Sequence, residues 1–88
     1  MKVRYRNRFY RDLDSIKEAD TIDEVEAVLS EIESASDIAQ IGYLKKMVGH
    51  KNAYRIRISD YRIGVYIHND VIEIACIGHR STIYKNFP

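Results

Sequence analysis

Three segments near the end of the chain limit what it can fold into. "AYRIRIS" (53–59), "YRIGVYIH" (61–68) and "VIEIACIG" (71–78) alternate in polarity, and only Ser59-Asp60 and Asn69-Asp70 separate them. A period of two marks half-buried strands, and two residues between strands leave room only for a hairpin turn. The chain is therefore expected to close in a three-stranded antiparallel meander. Two-residue loops pair Ile58 with Tyr61 and His68 with Val71, and that register decides the facing of every side chain. Tyr54, Ile56, Ile58, Tyr61, Ile63, Val65, Ile67, Ile72, Ile74 and Cys76 then share one face. Arg55, Arg57, Arg62, Tyr66, Glu73 and His79 share the other.

The apolar face needs a cover, and the first half of the chain supplies helices. "KVRYR" reads as a short strand, and in "RFYRDLDSIK" Phe9, Leu13 and Ile16 fall at helical spacing. Thr21 and Glu24 have the spacing of a capping box, opening a helix whose Ile22, Val25, Leu29 and Ile32 form an apolar stripe. The stripe lasts less than two heptads, which suits a core-facing helix better than a coiled coil. "SASDIAQIGYLKKMVGHKN" is punctuated by Ser, Gly and Asn, and reads as a loop or partial helical turn. The fold class is α+β: an N-terminal strand, a helical hairpin, then the meander packed on the helices. At 88 residues the chain is expected to be one domain, 1–88, with room for a single core.

Charge is segregated although the net value is only +1. Residues 1–11 carry five bases and no acid, residues 12–37 carry ten acids against Lys17, and residues 45–88 carry eight bases against three acids. Such a dipolar chain can present a basic side to a polyanion. The lone Cys76 excludes an internal disulfide, suits a reducing compartment and reads as a core residue. The N-terminus has no apolar run of signal-peptide or membrane-span length, so a cytoplasmic protein without a membrane partner is expected. No ligand-spaced cluster of Asp, Glu or His, no phosphate-cradling glycine loop and no serine-nucleophile motif is present, so neither a metal nor a cofactor is implied.

The register places Arg57 directly across from Arg62, and Arg55 across from Gly64. Like charges facing each other on a sheet are destabilising by up to about 1 kcal/mol. One arginine can be explained by its long stem covering apolar surface; three, beside a tyrosine and a histidine, point to a ligand. Guanidiniums suit phosphates, while aromatic rings and guanidinium planes suit unstacked bases, which makes RNA the natural partner. His79 adds a group of the kind that titrates near neutrality, and arginines can stabilise a pentacoordinate phosphorane. Glu73 is expected to pair with Arg55 or Arg57, or alternatively with His79. With the arginines on an open face, Arg57→Ala or Arg62→Ala should leave the melting temperature unchanged or slightly raised.

"FYRDL" (9–13), "GHKNAYRIRISDYRIGVYI" (49–67) and "GHRSTIYKNFP" (78–88) together resemble the RelE branch of the RelE/ParE toxin superfamily, in order and over the whole length. The resemblance implies a RelE-like type II toxin held inactive by a cognate antitoxin. It implies a metal-independent endoribonuclease, an mRNA interferase that works on the ribosome. There the 2′-hydroxyl of A-site mRNA attacks the adjacent phosphate, leaving a cyclic phosphate and a 5′-hydroxyl. By the same resemblance, Arg55 and Arg57 match the family's basic pair, Arg62 its arginine after the turn, His79 and Arg80 the basic residues before the terminal aromatic, and Tyr84 that aromatic. Arg57 and Arg62 would hold the phosphate, Tyr84 would stack on a base, and Arg55 or His79 would transfer protons. Lys45, Lys46 and Lys51 would add to the field towards ribosomal RNA. A lysine often stands at Arg55 or Arg57 in the family, and arginine is a poor base at neutral pH, which moves the expectation of proton transfer to His79. The alternative is a ParE-like toxin that inhibits DNA gyrase without nuclease chemistry; Arg62, Arg80 and Tyr84 together favour the nuclease.

Overall fold

Both hairpin turns form where the alternation breaks. In the computed structural model, which describes residues 1–88, strands β3 (Ala53–Ile58), β4 (Tyr61–His68) and β5 (Val71–His79) make the antiparallel meander. Its register pairs Ile58 with Tyr61, Arg57 with Arg62, Arg55 with Gly64 and His68 with Val71, as expected. Ser59 and Asn69 open the turns with φ of 51° and 55°, the left-handed conformation that a two-residue reversal demands.

The meander is the centre of a larger sheet. Strand β1 (Lys2–Tyr5) joins it in parallel to the start of β5, and β2 (Leu44–Lys46) joins it antiparallel to β3, giving five strands in the order β1-β5-β4-β3-β2. The segment expected to be a loop thus contains a 3₁₀ turn (Ile38–Gln40) and the edge strand β2, in which Lys45 faces Arg55 and Lys46 faces Tyr54. Three residues of strand are too few to show a period, and pairing with β3 supplies the order that local sequence lacks.

Helices α1 (Asn7–Asp14) and α2 (Ala19–Ser34) contribute Phe9, Val25 and Ile32 to a core with Ile56, Ile63, Val65, Ile72 and Ile74, all fully buried. Helix α1 ends before Ile16, which is buried all the same. Helix α2 begins three residues earlier than the capping-box pattern suggests, so Thr21 lies buried within its first turn and caps nothing. The carboxylates around that terminus are used elsewhere. Glu18 accepts from the Tyr61 hydroxyl and Glu24 from Ser59 Oγ, both at 3.0 Å, tying α2 to the β3–β4 turn.

A bulge in β5 changes the facing of its second half. Val65 pairs with Ile74 but Gly64 pairs with Cys76, leaving Ala75 as an extra residue. One inserted residue exchanges the faces of everything beyond it. Ile77 therefore takes the core position expected for Cys76, and Cys76 turns to the opposite face, although still fully buried. His79, expected on the arginine face, lies across from Tyr61, which packs against the helix-side core. Helix α1 covers the edge of β5 that β1 leaves open, where Asp12 Oδ2 accepts from the Ile77 N–H at 3.2 Å.

The second face of the sheet is also partly covered. The C-terminal tail, with a 3₁₀ turn at Ile83–Lys85, lays Ile83 and Phe87 over Ala53, Ala75 and Cys76. Gly64 makes the close approach possible: a Cβ there would meet Cys76 Sγ and the Phe87 ring at 2.8 Å. No helix is long and apolar enough to cross a membrane.

Candidate functional site

Between the tail and β2 the second face stays open, and there the meander arginines gather. Arg62 is only 8% exposed. Its Nη1 donates to the Ser59 and Tyr61 carbonyls at 3.0 and 2.8 Å, so the tight turn holds the guanidinium in place. Its buried Nε has no partner within the protein. An unpaired buried donor is costly. The opening expectation that Arg62 is an open-face residue with no structural part is therefore corrected: it is buried and bonded to the turn.

Two adjoining recesses share Arg55 and Arg62. One, of about 350 Å³, is lined by Tyr43, Lys45, Arg55, Arg57 and Arg62; the other, of about 410 Å³, by Met47, Arg55, Arg62, Arg80 and Tyr84. No acid lines either. Arg80 is brought there by the turn, where its N–H donates to the Asp60 carbonyl at 2.7 Å and its Nε lies 3.7 Å from Asp60 Oδ1. The exposed ion pair adds little; the backbone bond fixes where the tail begins.

Of the residues singled out from the sequence, Arg55, Arg57, Arg62, Arg80, Tyr84 and Lys45 line this cleft. Lys46 points to the other side of the sheet, with Tyr54, and Lys51 lies exposed in the β2–β3 connection. His79 is removed by the bulge to a separate recess with Glu18, Thr21, Ser59, Asp60 and Tyr61. Its Nδ1 accepts from the Ser81 N–H at 3.1 Å and contacts Ser81 Oγ at 2.8 Å. Glu73 bonds neither Arg55 nor Arg57: Arg6 Nη2 donates to it at 2.8 Å while the Arg6 guanidinium sits over the Tyr66 ring, 4.8 Å from its centroid. The hydrogen bond to Glu73 raises the pKa of Arg6 above its already high value. Burial pushes the Cys76 thiol up, consistent with a packing role. Tyr43 and Met47 are cleft residues that the strand reading missed. The signal was Tyr43, Lys45 and Met47 at a period of two, in a segment too short to register.

Residues 3–84 match the family described as ParE toxin of the type II toxin–antitoxin system, parDE. Toxin RelE3 of Methanocaldococcus jannaschii is 30% identical over the full length of both chains. The chain belongs to the RelE/ParE family of type II toxins. The toxin is also similar to the crystal structure of the RelB–RelE antitoxin–toxin complex from Methanococcus jannaschii, with a TM-score of 0.81 at 27% identity, covering 97% of this chain and 99% of that one. The chromosomal ParDE system of P. aeruginosa shares the fold at 12% identity, with a TM-score of 0.67 and coverage of 90% and 95%. The architecture of the toxin is therefore common to RelE-named and ParE-named relatives, and the cleft must decide between activities.

Proposed function

We propose that this toxin is an endoribonuclease that cleaves mRNA in the ribosomal A site, and that a cognate antitoxin holds it inactive. The observation that carries this reading is the acid-free cleft in which Arg55 and the turn-anchored Arg62 meet between two tyrosines. A phosphodiester fits there as an anion held by fixed donors. The reaction is a transesterification. The 2′-oxygen bonds to phosphorus, the P–O5′ bond breaks, a 2′,3′-cyclic phosphate remains on one fragment, and the 5′-oxygen of the other takes a proton.

Arg62 is held before substrate arrives, so its donors stabilise the charge of the phosphorane without reorganisation, an effect worth about 10²–10³ in rate per donor. Arg55 and Arg57 neutralise the non-bridging oxygens, and Arg80 closes the cleft from the tail. No carboxylate or imidazole lines the cleft. Water is therefore assigned to accept the 2′ proton and supply the 5′ proton, and the catalytic weight falls on charge stabilisation and alignment. Orientation can supply up to about 7–11 kcal/mol in well-aligned systems. An 88-residue toxin with a shallow cleft leaves that task to the ribosome.

The test is primer extension on a translated message with purified ribosomes. Codon-positioned cuts that require translation and vanish with Arg62→Ala support the nuclease. Intact messages together with trapped gyrase–DNA complexes select the gyrase reading, which the ParE description of the matching family keeps in view.

A further inference from the structure

We propose that Tyr43 is a stacking platform for one of the two bases flanking the phosphate bound by Arg55 and Arg62, facing Tyr84, which takes the other. The proposal rests on the nuclease reading above and adds to it how the substrate strand is shaped.

The tyrosines of the chain divide by what they touch. Tyr5 and Tyr10 pack on each other and on Phe9, Tyr54 packs on the core, Tyr61 contacts His79 and Glu18, and Tyr66 contacts Arg6 and Phe87. Outside the packed core, only Tyr43 and Tyr84, 60% and 43% exposed, have neither a ring neighbour nor a side-chain hydrogen bond, and both border the arginine cleft. Each is carried by an anchored neighbour. Ile41 is buried, Leu44 packs against the core, and Ile83 is buried against the sheet with Ala53, Ala75 and Cys76. Both tyrosines are thus tethered to the fold beside buried residues, while their rings stay largely exposed.

Because the two recesses share Arg55 and Arg62, a phosphate seated on those guanidiniums has Tyr43 on one side and Tyr84 on the other. Stacked neighbours in an A-form strand keep the 2′-oxygen out of line with the P–O5′ bond. Drawing the two bases onto separate rings unstacks the step and frees the sugar to bring the 2′-oxygen behind phosphorus. Tyr43 also borders a groove with Glu24 and Glu31 of α2, but the recess it shares with Arg55 and Arg62 has no acid, and that cationic side favours a nucleic acid strand as the occupant of the ring.

The experiment uses full-length toxin and programmed ribosomes carrying two messages. One is cleavable; the other is 2′-deoxy at the reacting sugar, with 2-aminopurine at either flanking base. Tyr43→Ala should slow single-turnover cleavage roughly ten- to hundredfold, as expected for loss of one stacked base. It should also remove the quenching of 2-aminopurine at one flank only, with Tyr84→Ala removing it at the other. Tyr43→Phe should keep both signals, and the melting temperature of Tyr43→Ala should not change. Unchanged cleavage and quenching in Tyr43→Ala would overturn the proposal, as would failure of Tyr43→Phe to rescue. Normal cleavage with weakened antitoxin binding would assign the ring to the protein partner instead. If the unmodified toxin itself neither cleaves nor quenches, the nuclease reading fails first, a result distinct from any difference between variants.

Discussion

On the helix side of the sheet, Ile56, Ile63, Val65, Ile72 and Ile74 are fully buried under Phe9, Val25 and Ile32. On the tail side, a five-residue patch of Ala53, Ala75, Cys76, Ile83 and Phe87 is buried, and beside it lie Arg55, Arg57, Arg62 and Lys45. The first face carries most of the apolar burial that drives folding. The second needs only enough packing to hold the tail, and that freedom lets it tolerate facing like charges such as Arg57 and Arg62. The charge is divided in the same sense but not cleanly: the acidic α2 covers the helix side, yet its Glu24 and Glu31 border a groove shared with Arg57 and Tyr43 at the margin of the arginine cleft.

Arg62 is where the two roles meet, and its loss should have the largest effect. Arg62→Ala removes a guanidinium that lines the cleft and two bonds to the β3–β4 turn. Cleavage should fall by about 10²–10³. Stability should also fall, by about 1–2 kcal/mol, because solvent can replace only part of those bonds. Thermal unfolding beside single-turnover kinetics measures both; an unchanged melting temperature would mean that the turn holds its shape without the guanidinium.

Arg57 offers the contrast that the comparison needs. It is exposed, its side chain makes no hydrogen bond, and it faces a like charge, with Glu24 and Glu31 of α2 lining the groove beside it but making no ion pair. Arg57→Ala should reduce cleavage by about 10²-fold while the melting temperature stays level or rises, the gain being at most about 1 kcal/mol. A marked loss of stability would place Arg57 with the structural residues.

A smaller effect is expected where the tail meets the sheet. Gly64→Ala sets a Cβ against Cys76 Sγ and the Phe87 ring at 2.8 Å. Either the tail lifts or the packing is strained, typically at about 1–3 kcal/mol. Because Arg80 and Tyr84 ride on that tail, cleavage should drop several-fold, and limited proteolysis should cut near residues 80–88 sooner. Equal protease resistance would show that the second apolar patch contributes little to positioning the cleft.

The meander, its turns and the juxtaposition of Arg55, Arg57 and Arg62 were legible because period and loop length fix register. What local pattern could not convey was order imposed from elsewhere. Strand β2 is three residues long and exists through its pairing with β3. The start of α2 moved because Glu18 and Glu24 bond to the β3–β4 turn instead of serving as caps. The bulge left one trace: Ile74 and Ile77 are three apart, where an unbroken strand would place core residues two apart. Ala75 and Cys76, both small and apolar, masked it, and the tail that buries them was not visible in the local pattern.

That single inserted residue governs the smallest predicted effect. His79 lies across from Tyr61, with ring centroids 5.7 Å apart, in a recess with Glu18 and Thr21 from the start of α2. A general base must come within about 2.6–3.2 Å of the proton it takes, directly or through one water. His79 instead faces the helix side, while Arg55, Arg57 and Arg62 face the tail side. His79→Asn should therefore leave cleavage unchanged, and stability should shift by no more than about 0.5 kcal/mol, as for other surface substitutions. Single-turnover cleavage on programmed ribosomes gives the answer. A loss of about 10²–10⁴, the range of acid–base catalysis, would require the end of β5 to untwist and carry the imidazole around the sheet edge. In that event the bulge would be a movable joint, and the division of labour between the two faces would hold only in the free toxin.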